Sequence, residues 1–308
     1  MNMTKTMSTK NFPRYVVISP VRDEAPYIEH TLQSVINQTV LPTLWVIVND
    51  GSTDATGEIL ENYAIQHDWI KAIHRNDRGY RAAGSGVIAA FNEGYAGVSV
   101  KDWDFIVKLD GDLSFEPDYF ELNFSRFEED KTLGIAGGAV FNQRNGHLVV
   151  DSIGDPPFHV RGATKIYRRR CWEQISPLME APGWDTIDEV MANCYGWTTH
   201  TFSDIKLIQH KPTGEADGHW RNWVKNGLAN YVTGYHPLFM LAKCLKRLFQ
   251  RPLFIVSTGL WVGFCSGYLH RTPQVQDPAV IHYLRKQQIR HLMRQPSIYK
   301  PKQVFESK

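Results

Sequence analysis

The 308-residue chain is short of several things, and each shortage narrows its class. It has only four cysteines, Cys171, Cys194, Cys244 and Cys265, at long uneven spacings and with no C-x-x-C pair. That argues against a zinc ribbon or a disulfide scaffold and fits a reducing compartment. The first residues, MNMTKTMSTKNFPR, hold no apolar run, which argues against a cleaved secretory signal and for a body on the cytoplasmic side. There is no internal repeat, no low-complexity segment and no recognisable nucleic-acid-binding motif. Charge is nearly balanced, 34 Lys+Arg against 32 Asp+Glu, but unevenly spread. Residues 237–308 carry 12 Lys/Arg with only Asp277 and Glu306, leaving 22 basic and 30 acidic residues for the rest. An acidic body and a basic tail face different surroundings.

What is present is an alternation. Tyr15–Ser19 (YVVIS) reads as a buried strand stopped by Pro20, and Leu44–Val48 (LWVIV) as a second. Further strands are expected at Ile70–His74 and Phe105–Leu109, with helices at Tyr27–Gln38, after Asp54 as cap, and at Ala82–Tyr95. Apolar strands alternating with amphipathic helices predict an α/β fold whose sheet is helix-covered. Beyond Asp118 the spacing predicts strands at Leu133–Phe141, His147–Val150, Thr164–Tyr167 and Ile205–Gln209, and a helix at Ile187–Cys194. Composition shifts toward aromatic and basic residues after Thr213, so a boundary is expected near Gly214–Gly218.

Ligands of parallel sheets bind beyond the carboxyl ends of the strands. Acids collect there: Asp23 in PVRDE, Asp50 in VNDGSTD, and Asp110 with Asp112 in VKLDGDLSF. Two carboxylates one residue apart can share a hard divalent cation with phosphate oxygens, and Gly111 between them would leave room for a ligand. Each acid alone also suits a strand-end turn, Asp54 most of all. Three acidic strand ends on one edge are harder to explain by turns.

In order and spacing, PVRDE, VNDGSTD, the segment Asn76–Tyr95 and LDGD resemble the inverting family-2 glycosyltransferases of GT-A fold, over about residues 14–212. The resemblance implies a mixed, mainly parallel sheet covered by helices. It implies a nucleotide-sugar donor, a UDP-sugar by preference, and a saccharide or lipid-linked saccharide acceptor in surface polysaccharide or glycoconjugate synthesis. It puts Asp23, Asp50, Arg81, Asp110 and Gly162 at the nucleotide-sugar, and Asp110, Asp112 and His210 at Mg²⁺ or Mn²⁺. For the general base, GWDTIDEV offers Asp188 first and Glu189 second, with Trp184 and Asp185 beside the acceptor. Two other readings are a sugar nucleotidyltransferase, which would need a Gly-rich loop where PVRDEAP stands, and a non-catalytic binding partner of this fold. The processive enzymes' Q-x-x-R-W string is absent, and HWRNW (His219–Trp223) is its nearest relative, which favours one sugar per encounter.

The expected organisation is a leader at 1–13, a transferase domain at 14–216 and a helical, membrane-associating region at 217–308. In that region Leu238, Leu241, Leu245, Leu248 and Phe249 share one helical face among Lys243, Lys246 and Arg247, the pattern of an interfacial helix. The uncharged stretch Leu253–Leu269 is marginal for a span, which takes about 20 apolar residues. Gly259, Gly263 and Gly267 recur in it every four residues, suiting close helix packing. The expected location is the cytoplasmic face of the cell membrane.

Overall fold

The computed structural model describes residues 12–77, 79, 85–144, 146–151, 155–211, 218–250 and 252–300. Its first half is a run of strand–helix units: β1 (Tyr15–Val21), α1 (Ile28–Ile36), β2 (Leu44–Asn49), α2 (Thr56–Gln66), β3 (Ile70–His74), α3 (Ser85–Ala96) and β4 (Phe105–Leu109). β1 lies between β2 and β4 and is parallel to both, and β3 extends the sheet beyond β2. The apolar runs are buried on both faces because alternate residues enter different cores. Val17, Ile47 and Val107 pack with Leu32 and Val35 of α1, while Ile18, Val46 and Ile106 pack with Ile88 and Phe91 of α3.

Pro20 does not end β1, which runs on to Val21 with Pro20 opposite Val48. The β1–β4 ladder stops at Ile18, so proline's missing N–H falls where the strand has one neighbour rather than two. The N-cap of α2 is Ala55 rather than Asp54, one residue later than expected, but the Asp54 carboxylate still ties down that end by accepting the Thr56 amide at 3.0 Å and the Ala25 amide.

The second half turns back across the sheet: β5 (Leu113–Phe115), α4 (Tyr119–Glu129), β6 (Leu133–Arg144), β7 (His147–Val150), β8 (Thr164–Arg168), α5 (Arg169–Ile175), α6 (Trp184–Cys194) and β9 (Thr198–Gln209). The order is β3-β2-β1-β4-β8-β6-β9-β5, with β7 on β6. β8 is antiparallel to β4, so the direction reverses beside the Asp110 strand end.

Four more helices follow: α7 (Gly218–Val232), α8 (Pro237–Lys246), α9 (Ile255–Leu269) and α10 (Pro278–Leu292). They share a third core with α6, in which Ile187 and Val190 meet Tyr231, Met240, Leu260 and Leu284. The glycines of α9 serve contact within the chain. A Cβ on Gly263 would lie 1.9 Å from the Val224 carbonyl oxygen of α7, and one on Gly227 of α7 would lie 2.1 Å from that of Leu260. Backbone therefore packs on backbone, which only glycine permits. Among the described residues no helix is long and apolar enough to cross a membrane. Of the expected boundary at Gly214–Gly218 only Gly218, the first residue of α7, is described; the rest lies outside the described residues, as does most of the expected leader.

Candidate active site

The strand ends carry their acids to one edge, but each acid is held differently. Asp50 is buried, takes the Val21 carbonyl through its own amide, and pairs its carboxylate with Arg75 at 2.7 Å. Arg75 also reaches Glu93 at 2.8 Å. Asp23 is exposed, in the left-handed region at φ 51°, with its carboxylate on the Thr53 amide at 2.8 Å. Arg22 locks the two loops together, donating to the Asp50 carbonyl and to the Asp77 carboxylate. Gly51 completes the turn: a Cβ there would lie 2.5 Å from the Asp77 Cα, at φ 70°. Arg81 lies outside the described residues.

At the end of β4, Asp110 is held by the buried Lys108, whose ammonium also donates to the Gly162 carbonyl. Gly111 leaves no room for a ligand. A Cβ there would meet Val21 Cγ1 at 2.6 Å, so the glycine seats the turn against β1 instead. Asp112 is buried; its Oδ2 accepts from Gln209 at 3.0 Å, while its Oδ1 is buried with no hydrogen-bond partner. Burial and the adjacent Asp110 push the Asp112 carboxyl up to about 6. His210 donates its amide to the Asp112 carbonyl at 2.8 Å, bonds Ser114 Oγ through Nε2 and stacks on His30. Burial, then the neighbouring His30, lower the His210 pKa. Glu24 is a neighbour in the same region: burial pushes it up to about 7 against the 2.8 Å pair with Lys211.

The acids of α6 divide. Asp185 lies in the first turn, just after Gly183 at φ 82°, where the helix dipole favours a carboxylate. It lines a cavity of about 200 Å³ together with Trp184, Arg161, Gly162, Lys108 and Asp110. Burial would raise the Asp185 pKa, but His159, Lys165 and Arg161 outweigh it and hold the carboxyl below its usual range. Asp188 and Glu189, the sequence's first and second choices for the base, stand elsewhere. Asp188 is 3% exposed and its oxygens take Lys165 at 2.8 and 3.0 Å, the Tyr167 hydroxyl at 2.6 Å and the Glu189 amide at 2.7 Å. Glu189 is 0% exposed, with His159 at 2.9 Å, the Val160 amide at 2.6 Å and Lys165 at 2.8 Å. Both are sealed among these donors, and neither lines the cavity. Burial pushes Asp188 up to about 7, Lys165 opposing and Glu189 adding. Burial works against charge on Lys165, yet Asp188, Glu189 and Asp185 hold its pKa above the ordinary lysine value.

Trp184 is buried and forms part of the cavity wall, with the ammonium groups of Lys108 and Lys165 each 5.4 Å from its ring. Gly162 is packed beneath it, since a Cβ would lie 2.9 Å from Trp184 Cζ2. Sequence reasoning passed over Lys108, Lys165, His159 and Gln209. The signal was a lysine inside each of two apolar strand runs, FIVKL and TKIYR, where a charge survives only with a partner.

A sheet with a direction switch, acidic strand ends and a cavity beside them is the architecture of GT-A glycosyltransferases. The family model "Glycosyl transferase family 2" matches residues 16–178, more than half of the chain, and the chain belongs to that family. The chain is 29% identical over 147 residues to a chondroitin synthase of Pasteurella multocida, covering 47% of this chain and 14% of that protein. It is 28% identical over 143 residues to the glycosyltransferase GlyA of Streptococcus pneumoniae serotype 4, covering 46% of this chain and 19% of that protein. The chain thus spans a small part of these relatives' lengths. Among solved structures, the mannosyltransferase PcManGT of Pyrobaculum calidifontis, in complex with GDP-Man and Mn²⁺, superposes with a TM-score of 0.54 at 18% identity, over 88% of this chain and 78% of that one.

Proposed function

We propose that the protein moves a sugar from a nucleotide-sugar to a hydroxyl of a saccharide or lipid-linked saccharide, with inversion, in polysaccharide or glycoconjugate synthesis. The observation that carries this reading is one cavity lined by both Asp110 and Asp185. Asp23 and Asp50, at neighbouring strand ends, would take the donor's base and ribose. Support for a nucleotide-sugar donor and for a metal comes from the mannosyltransferase that carries GDP-Man and Mn²⁺.

Asp110, Asp112 and His210 would hold Mg²⁺ or Mn²⁺. Asp110 and Asp112 would offer hard carboxylate oxygens and His210 a ring nitrogen, and the buried, unpartnered Oδ1 of Asp112 suits a cation. Among the described residues no three His, Cys, Asp or Glu side chains converge, so Asp110, Asp112 and His210 do not enclose a site by themselves and phosphate oxygens would have to complete the ion's shell. When bound, the ion offsets negative charge on the departing diphosphate.

The acceptor oxygen attacks the anomeric carbon while the bond to the diphosphate breaks, and that electron pair leaves with the diphosphate. The hydroxyl proton passes to Asp185, which its cationic neighbours keep ionised at neutral pH. Lys108 keeps Asp110 oriented, and Gly162, packed beneath Trp184, seats that ring in the cavity wall. Asp188 and Glu189 build the floor that positions α6.

A thermal shift with UDP, GDP and dTDP, each with and without Mn²⁺, tests the donor site. A ligand at 100 times its dissociation constant adds about 2.7 kcal/mol. One nucleotide should stabilise the protein only with metal, and Asp112→Asn should abolish the effect. No shift in any combination for folded protein would overturn the reading and favour a non-catalytic partner.

A further inference from the structure

The outer faces of α8 and α9 carry apolar surface that nothing in the fold covers. On α8, Leu238, Leu241 and Leu245 point outward along one stripe, and Leu245 is 60% exposed. The connection adds Phe249, 76% exposed and in ring contact with the exposed Phe254. α9 has no charged residue and is apolar on both sides. Val256, Leu260 and Phe264 are buried, while Ile255, Val262 and Leu269, seven residues apart, face out, Leu269 at 80%. The two helices are tied side by side: Ser257 of α9 bonds the last turn of α8 through the Cys244 carbonyl, and the Phe254 amide bonds the Leu248 carbonyl. Single exposed apolar residues are ordinary, but a stripe running through two helices and their connection marks an interaction site.

Charge says what kind. From Gly218 to Gln276 the chain has seven Lys/Arg, among them Lys246, Arg247 and Arg271, and no Asp or Glu. Lys246 and Arg247 close α8 beside the apolar stripe, and Arg271 follows α9. A second copy of this chain seated on the same face would bring like charges together. An anionic surface with an apolar interior meets both features at once. With 15 residues, α9 is about 22 Å long, short of the roughly 30 Å hydrocarbon core, so it lies in the interface plane rather than crossing.

We infer that α8, α9 and the connection between them dock the protein on an anionic lipid bilayer. The docked layer is tied to the cavity: Ala229 of α7, against which α9 packs, and Thr233 just beyond that helix flank Gly183, one residue before Trp184 and two before Asp185. Docking needs neither donor nor acceptor, so its failure leaves the transfer reading standing, and the reverse.

The test is flotation of the full chain with vesicles of phosphatidylcholine alone and of phosphatidylcholine with phosphatidylglycerol. The protein should float with the anionic vesicles and much less with the neutral ones, and raised salt should weaken it. Leu245→Glu and Phe249→Glu, both on exposed positions, should abolish flotation at unchanged melting temperature. Lys246→Glu should weaken it about fivefold or more, whereas Leu122→Glu, exposed on α4, should leave it unchanged. Protein that stays in solution with anionic vesicles overturns the inference. So does a dimer, seen by light scattering, that Leu245→Glu dissolves while vesicle binding is absent; that result would give the face to a second copy.

Discussion

Lys108 of β4 and Lys165 of β8 are direct partners across an antiparallel ladder, and both ammonium groups lie 5.4 Å from the ring of Trp184. Two buried like charges side by side are unfavourable unless each has its own counter-ion. Here each does. Lys108 takes Asp110 at the strand end, and Lys165 takes Asp188 and Glu189 from α6. The tryptophan joins the two arrangements, so the acid at the end of β4 and the helix bearing Asp185 are built from one pair of neighbouring lysines.

Removing one of those lysines should expose the cost. Lys165→Met leaves Asp188 and Glu189 buried without their shared cation, and loss of one partner from a buried pair costs about 3–5 kcal/mol. Urea unfolding at neutral pH measures it. A loss below about 1 kcal/mol would mean that the two carboxyls are not held as a charged group in the native protein.

Gly162→Ala should damage the site more than the fold. The new methyl would press on Trp184 Cζ2 at 2.9 Å and on Asp185 Cβ at 3.4 Å. Overpacking of this kind costs about 1–3 kcal/mol, and here the tryptophan would be displaced into the cavity. Turnover should fall while the protein remains folded by circular dichroism. Unchanged kinetics would show that neither donor nor acceptor passes along this wall.

His159 should make stability fall through mildly alkaline pH. Burial opposes its charge, but Glu189, Asp185 and Asp155 raise its pKa from 6.5 to about 9. A folded-state pKa above the unfolded value stabilises fully below about pH 6.5 and is lost as pH rises through about 9. The contribution is at most about 3 kcal/mol. Unfolding free energies across that window should slope downward for the wild type and much less for His159→Gln. Parallel slopes for the two proteins would contradict the assignment.

The parallel half of the fold was legible because its signals are local. YVVIS, LWVIV and FIVKL are short apolar runs buried on both faces, and the predicted bounds of β3 and β4 coincide with those observed. The misses have physical causes. β5 is three residues long, below any periodicity, and the first half of β9, THTFSD, alternates polar residues on a partly exposed strand. α4 was legible in principle, with Phe120, Phe124 and Phe127 at helical spacing. At the site, acids at strand ends could be read from order alone. Which acid of GWDTIDEV faces the cavity could not, because that depends on where Lys165 and His159 reach from other elements.

The account rests most heavily on Asp185 as the acid that receives the acceptor's proton. Release of nucleotide diphosphate, measured for Asp185→Asn and Asp188→Asn beside a donor-induced thermal shift for each, tests it most directly. Asp185→Asn should lose about 10²–10⁴ in turnover and still be stabilised by donor and metal. Asp188→Asn should lose stability first, with turnover per folded molecule largely retained. A fully active Asp185→Asn, or a stable and donor-binding Asp188→Asn without turnover, would contradict the account and return the role of base to Asp188.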